Sequence, residues 1–132
     1  MLLMKVGFTG TRRGMSLRQL AEATRIINDI ATEVRHGDCV GADEQVHIIA
    51  VKAGVRRVVH PPSDSKNRAW CGGFDGSIVM PAKPYLERNR DIVDACDMLV
   101  AAPYGPEKVR SGTWATVRYA RKVGKAVLVL KR

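Results

Sequence analysis

The chain has 132 residues, 45% of them hydrophobic and only 5% aromatic, with 22 Lys and Arg against 13 Asp and Glu, a formal charge of +9. This length allows one ordinary domain (residues 1–132) with an aliphatic core that folds without staples, and no apolar run is long enough to span a bilayer. The charge points to polyanionic partners, either nucleic acid or phosphorylated small molecules, and with no spanning run no membrane partner is expected. Three cysteines, Cys39, Cys71 and Cys96, cannot all pair, and Met1 to Phe8 leads into a glycine loop rather than a secretory leader. A reducing cytoplasm is therefore expected.

Met4 to Thr9 reads as a first strand ending in the loop Gly10-Thr11-Arg12-Arg13-Gly14. Ser16 with Gln19 forms a capping box, and Met15 with Leu20 forms a hydrophobic staple. Leu17, Leu20, Thr24, Ile27, Ala31 and Val34 recur at steps of three and four, predicting one helical face and a helix that ends near Ala31. Glu33 to His36 is a short second strand, and His36 to Asp43 is its loop. A second helix carries Val46, Ile49, Ala50 and Ala53 on one face and stops at Gly54. Val55 to His60 is the third strand.

Residues 61–82 show no clean period and several Gly or Pro interruptions, so a functional or disordered loop is expected there. Pro84 suits the first turn of a third helix, with Tyr85, Asn89, Ile92 and Cys96 on one face. Asp97 to Ala102 is apolar on both faces and predicts a central fourth strand. A loop from Pro103 to Ser111, a helix from Thr113 to Val123 and a strand from Ala126 to Leu130 complete the chain. Alternating strands and helices predict an α/β, Rossmann-like domain. Its five parallel strands would run in the order 3-2-1-4-5, with helices on both faces.

Ligands of such sheets bind outside the carboxyl ends of the strands. Three polar, glycine-bearing loops emerge there, and each leads to a helix N-terminus with free N–H groups. They contain Gly10, Thr11 and Arg12; Gly37, Asp38, Gly41 and Asp43; and Ser111, Gly112 and Thr113. Gly7, Gly10 and Gly14 do not spell a dinucleotide fingerprint, and no P-loop lysine is present. Thr9, Thr11, Arg12 and Arg13 suit a phosphate. Arg88 and Arg90 flank Asn89 early in the third helix, where the dipole disfavours cations, and this suggests a nearby anion. The catalytic candidates are Asp38, Asp43 and Arg88. His36, His47, His60, Cys39 and Cys71 show no paired metal-ligand spacing, so neither a metal nor another cofactor is expected. His47 reads as a surface or interface histidine, Cys39 as a loop-lining residue or a reactive thiol, and Trp114 as core or as a base-stacking ring.

The order of Gly7-Phe8-Thr9-Gly10-Thr11-Arg12, His36 to Asp43, Glu87-Arg88-Asn89-Arg90 with Asp97, and Ser111-Gly112-Thr113 resembles the SLOG superfamily of Rossmann-like nucleotide-ligand binders. The resemblance covers nearly the whole chain. Gly41-Ala42-Asp43, Arg88-Asn89-Arg90 and Ser111-Gly112-Thr113 are similar to motifs of the DNA-processing protein A family, which implies single-stranded DNA binding. Arg88 and Gly112-Thr113 also resemble positions of the LOG phosphoribohydrolases, which implies action on an N-glycosidic bond. Two departures stand out. A longer loop, Tyr104 to Arg110, replaces the compact double glycine, and Thr116 occupies the position of the LOG glutamate.

Three functions follow as expectations. The first is binding of a nucleotide or nucleotide-derived phosphorylated ligand, with or without N-ribosidic chemistry. The second is single-stranded nucleic-acid binding, against which the low aromatic content argues. The third is an interaction module with a decayed site. A homodimer is a further expectation.

Overall fold

A computed structural model describes residues 2–132. Strands and helices alternate along most of the chain: β1 (Met4–Gly10), α1 (Leu17–Ile30), β2 (Ala31–His36), α2 (Ala42–Ala53), β3 (Arg56–Val59), β4 (Ile78–Val79), α3 (Tyr85–Ala95), β5 (Met98–Ala102), α4 (Gly112–Lys122) and β6 (Ala126–Val129). All pair in parallel in one sheet of order β4-β3-β2-β1-β5-β6. The expected relative order of the five principal strands holds, but the sheet has six strands rather than five. The extra strand is the two-residue β4, inside the segment read as a loop. Two residues are too short for a period to show, yet they cover the edge of β3 by pairing Val58 with Ile78 and Val59 with Val79. No helix is long and apolar enough to cross a membrane.

Helices α1 and α2 pack on one face of the sheet, and α3 and α4 on the other. Val6, Phe8, Val34 and Val100 fill the first core with Ala23, Ile26, Ile27 and Val46, while Leu99 and Ala101 meet Val93, Val117 and Ala120 in the second. Both faces of β5 are therefore covered, as its unbroken apolar run requires.

The start of α1 follows the capping box: Gln19 N–H donates to Ser16 Oγ at 3.1 Å, and Ser16 N–H donates to Gln19 Oε1 at 3.0 Å. Its expected buried face needs correction. Leu17 is 87% exposed, and Gln19 is fully buried instead. The Gln19 amide donates to the carbonyls of Pro103 and Leu130, so this polar side chain fastens α1 to the ends of β5 and β6. On α3 the outward residues are Tyr85 and Leu86, while Arg88, Ile92 and Val93 are buried.

Candidate functional site

The first two loops at the carboxyl edge interlock through backbone contacts. Thr11 N–H donates to Ala102 O at 3.0 Å, and Thr11 O accepts the N–H groups of Gly14 and Ala42 at 3.2 and 3.0 Å. The Thr11 hydroxyl accepts Arg13 N–H at 3.1 Å. Gly41 has φ 92°, and a Cβ there would lie 2.3 Å from Arg12 O, so only glycine fits. A Cβ on Gly10 would lie 2.5 Å from the Ala42 Cβ. Gly10, Thr11 and Gly41 thus hold the edge together, and the Arg12 side chain projects from it, exposed. Arg13 is drawn aside, its guanidinium 4.1 Å from the centre of the Tyr104 ring.

Arg88 and Asp43 are the chemically distinctive pair. Arg88 leaves the first turn of α3 and runs back under Gly37, where a Cβ would stand 2.0 Å from Nη1. Nη1 donates to Asn89 Oδ1 at 2.7 Å, and Nη2 lies 3.4 Å from Cys39 Sγ. Buried Nε has no partner among the described residues. Asp43, the second residue of α2, accepts Cys39 N–H on Oδ2 at 3.2 Å, while buried Oδ1 is unpartnered. The same notional Gly37 Cβ would lie 3.1 Å from Asp43 Oδ2. Guanidinium and carboxylate therefore face each other past Gly37 without closing into an ion pair. Burial lifts the Asp43 pKa to about 6, with Arg88 opposing the rise.

Asp38 does not serve as a free catalytic carboxylate. It is fully buried, and both oxygens are occupied: Oδ2 accepts Arg68 Nε at 2.9 Å and Oδ1 accepts Cys71 N–H at 2.8 Å. Its carbonyl accepts Ala69 N–H at 2.8 Å, and Val40 N–H donates to Asn67 O. The backbone takes φ 56° to present all three acceptors. Asp38 thus anchors the 61–83 segment, which folds back over the edge with a 3-10 turn at Ser65–Asn67.

Ser111 caps α4 by accepting Trp114 N–H at 3.2 Å; Gly112 faces open space, and Thr113 is buried. This loop shares the edge, but among the described residues no hydrogen bond or ion pair joins it to Arg88 or Asp43. Thr116 is buried, and its hydroxyl donates to Gly112 O at 2.8 Å, so this position offers neither a carboxylate nor a free hydroxyl. Arg90 turns away to lie over Tyr119, leaving Arg88 as the arginine of that motif at the site.

Other expectations also change. His47 is buried rather than at the surface, and burial pushes the Cys39 thiol up, the reverse of an activated thiolate. Trp114 is half-buried, with its indole N–H donating to Gly105 O. Histidines and a cysteine that are scattered in sequence come together: the nitrogens of His36 and His47 and the sulfur of Cys71 lie within 4.8 Å of one another. Periodicity carried no sign of this, because the third member sits in the irregular 61–83 segment. The same segment presents Trp70, 64% exposed at φ 58°, with the Arg68 guanidinium stacked 3.7 Å from its ring centre.

No family model matches the chain, and no curated protein sequence matches it. Solved structures do. The chain is similar to the molybdenum cofactor binding protein from the phototrophic bacterium Rippkaea orientalis, at 21% identity and TM-score 0.72, over 96% of this chain and 76% of that one. The Moco carrier protein from Chlamydomonas reinhardtii is also 21% identical, with TM-score 0.70 and 97% and 76% covered. DNA-processing protein A from Streptococcus pneumoniae is 20% identical, with TM-score 0.70; 96% of this chain matches only 50% of that protein. These likenesses show that the chain shares the Rossmann-like α/β fold of those proteins.

Proposed function

We propose that the carboxyl edge binds a nucleotide-derived, phosphorylated small molecule, with Arg88 as the cation for its phosphate and Asp43 beside the adjoining sugar. One observation carries this reading. A nearly buried arginine and a nearly buried aspartate face each other across a glycine, each with an unpartnered polar atom. Burying such groups incompletely satisfied is costly, and a ligand with an anionic and a hydroxyl-bearing end would offset that cost. Thr11 and Arg12 flank the pair on one side, and the open N-terminus of α4 at Ser111, Gly112 and Thr113 flanks it on the other. Of the carboxylates at this edge, Asp43 is the one with a free oxygen and an ionisation near neutrality. Any proton transfer at an N-glycosidic bond would therefore fall to it. The cofactor-binding neighbours agree with a compact ligand.

A second reading, single-stranded nucleic acid, draws on the +9 charge and on the Arg68–Trp70 stack, an exposed platform of the kind that receives a base. A thermal-shift series with AMP, ADP-ribose, a cyclic dinucleotide and a thymidine oligonucleotide separates the two. A ligand at 100 times its Kd stabilises the fold by about 2.7 kcal/mol. Arg88→Ala is expected to remove a charge-assisted contact of ~1.5–3 kcal/mol, roughly 10- to 150-fold in Kd. Failure of every nucleotide to stabilise the chain, or an unchanged Kd in a folded Arg88→Ala variant, refutes the proposal.

A further inference from the structure

We propose that the open face of Trp70 receives the aromatic base of the ligand whose phosphate and sugar lie at Arg88 and Asp43. This rests on the function proposed above for that pair, and adds the group that makes the ligand a nucleotide rather than a sugar phosphate. Trp70 is 64% exposed and has φ 58°, a left-handed conformation that a bulky L residue rarely takes. Among the described residues other than glycine, only Asp38 shares a positive φ with it, and the two are tied together. Anchoring the 61–83 segment does not require an aromatic ring there, because glycine holds the same φ without strain. An exposed ring buries little surface to offset that strain, which points to a partner outside the chain.

The ring is held as a rigid shelf. Fully buried Asp38 binds the residues on both sides of it: Oδ2 accepts Arg68 Nε at 2.9 Å, the carbonyl accepts Ala69 N–H at 2.8 Å, and Oδ1 accepts Cys71 N–H at 2.8 Å. The Arg68 guanidinium, fixed in this way, covers one face of the indole at 3.7 Å from its centre. With that face covered, the exposure of Trp70 belongs to the opposite face and the outer edge. The turn that follows is fastened by a hydrogen-bond chain. Asp38 N–H donates to His36 Nδ1 at 3.0 Å, so His36 Nε2–H donates to His47 Nδ1 at 2.8 Å, and His47 Nε2–H donates to Asp75 Oδ2 at 2.6 Å. Arg57 Nη2 adds a bond to Asp75 O at 2.6 Å. A stacking surface fixed before the ligand arrives loses little freedom on binding.

Cys39 joins this shelf to the pair. Its backbone bridges that of Arg68 in antiparallel fashion, and next to it Val40 N–H donates to Asn67 O at 2.9 Å. Its own N–H donates to Asp43 Oδ2 at 3.2 Å, and its sulfur lies 3.4 Å from Arg88 Nη2. Shelf and pair therefore meet at one residue. In a mononucleotide, base and phosphate are likewise joined through one sugar, the group assigned to Asp43. Trp70 offers a π-face, which every base can use, so the shelf selects for an aromatic base as a class and not for one base by its edge. A nucleic-acid strand presents the same chemistry and is therefore one arm of the test.

Calorimetric titration with AMP and with ribose 5-phosphate, which lacks the base, tests the shelf in wild type, Trp70→Gly and Trp70→Phe. Trp70→Gly removes the ring at a φ that glycine accepts, so the fold is kept. It should weaken AMP binding by roughly 5- to 150-fold and leave ribose 5-phosphate unchanged, and Trp70→Phe should restore part of the loss. Trp114→Phe leaves Trp70 as the single tryptophan, whose fluorescence AMP should quench and ribose 5-phosphate should not. If ribose 5-phosphate binds and Trp70→Gly holds AMP as tightly as wild type, the base site is overturned while the Arg88–Asp43 site stands. If neither compound binds wild type, Arg88 and Asp43 hold no sugar phosphate, and the base site falls with them. Quenching by a thymidine oligonucleotide alone, with AMP silent, gives the shelf to a strand and likewise overturns the proposal.

Discussion

Gly37→Ala moves the Arg88 guanidinium without removing its charge. Gly37 has no positive φ, so alanine adds no backbone strain. The new methyl would lie 2.0 Å from Nη1 and 2.6 Å from Cζ, and must push the guanidinium by roughly 1.5 Å to reach a ~3.5 Å contact. That shift disrupts the Nη1 bond to Asn89 and the Nη2 contact with Cys39. At about 0.5–1.5 kcal/mol for each ordinary hydrogen bond, the fold should lose about 1–3 kcal/mol. A phosphate seated on the guanidinium loses a charge-assisted contact, so AMP affinity should fall by roughly 10- to 150-fold. Urea unfolding and calorimetric titration with AMP measure the two effects separately. Unaltered AMP affinity in the folded variant would mean that Arg88 does not hold the phosphate. A loss well above 3 kcal/mol would mean that the Gly37–Arg88 approach is chiefly structural.

The Asp43 pKa, raised from 3.8 to about 6, means that the folded chain holds a proton the unfolded chain has lost between those values; stability falls as pH rises through that window, by ~3 kcal/mol in all. Asp43→Asn should therefore be more stable than wild type at pH 8 and about equal at pH 4, and a gap independent of pH in urea unfolding would contradict the cause given. His36 has the opposite sign: its pKa falls from 6.5 to about 3, so the stability it contributes is complete above pH 6.5 and is lost as pH drops towards 3. The Asp43→Asn protein, freed of the opposing slope, should lose stability steadily on acidification below pH 6.5. Asp38→Ala strands Arg68 and the Cys71 amide and should cost about 3 kcal/mol or more, exposing the 61–83 segment to limited proteolysis. Equal cleavage of variant and wild type would show that the anchor is unimportant.

Much of the fold was legible because it rests on local rules. The Ser16–Gln19 box, the Gly54 stop and the doubly covered β5 each follow from a few adjacent residues. Leu17 misled because helical spacing cannot tell a core leucine from an exposed one when a glutamine two positions on finds two distant carbonyls. Strand β4 was hidden because two residues make no pattern, and its pairing is a tertiary event. The glycine loops marked the edge correctly, but the division of labour within it depends on depth. Asp38 and Asp43 looked alike in sequence, yet one is fully engaged and the other keeps a free oxygen. Nor could spacing foresee the meeting of His36, His47 and Cys71, since residues 37–70 separate the first from the last and include an irregular segment.

The compact-ligand account is tested most directly by the salt dependence of binding, measured for AMP and for a thymidine oligonucleotide on the same protein. A strand that neutralises several phosphates releases several counterions and gives a log–log slope of about −0.7 per phosphate, whereas a mononucleotide engages one phosphate group. A compact ligand should give a shallow slope for AMP and binding that persists at ~0.2 M salt, with oligonucleotide binding weak and largely abolished there. Tight oligonucleotide binding that survives ~0.2 M salt, with no nucleotide stabilising the fold, would contradict it.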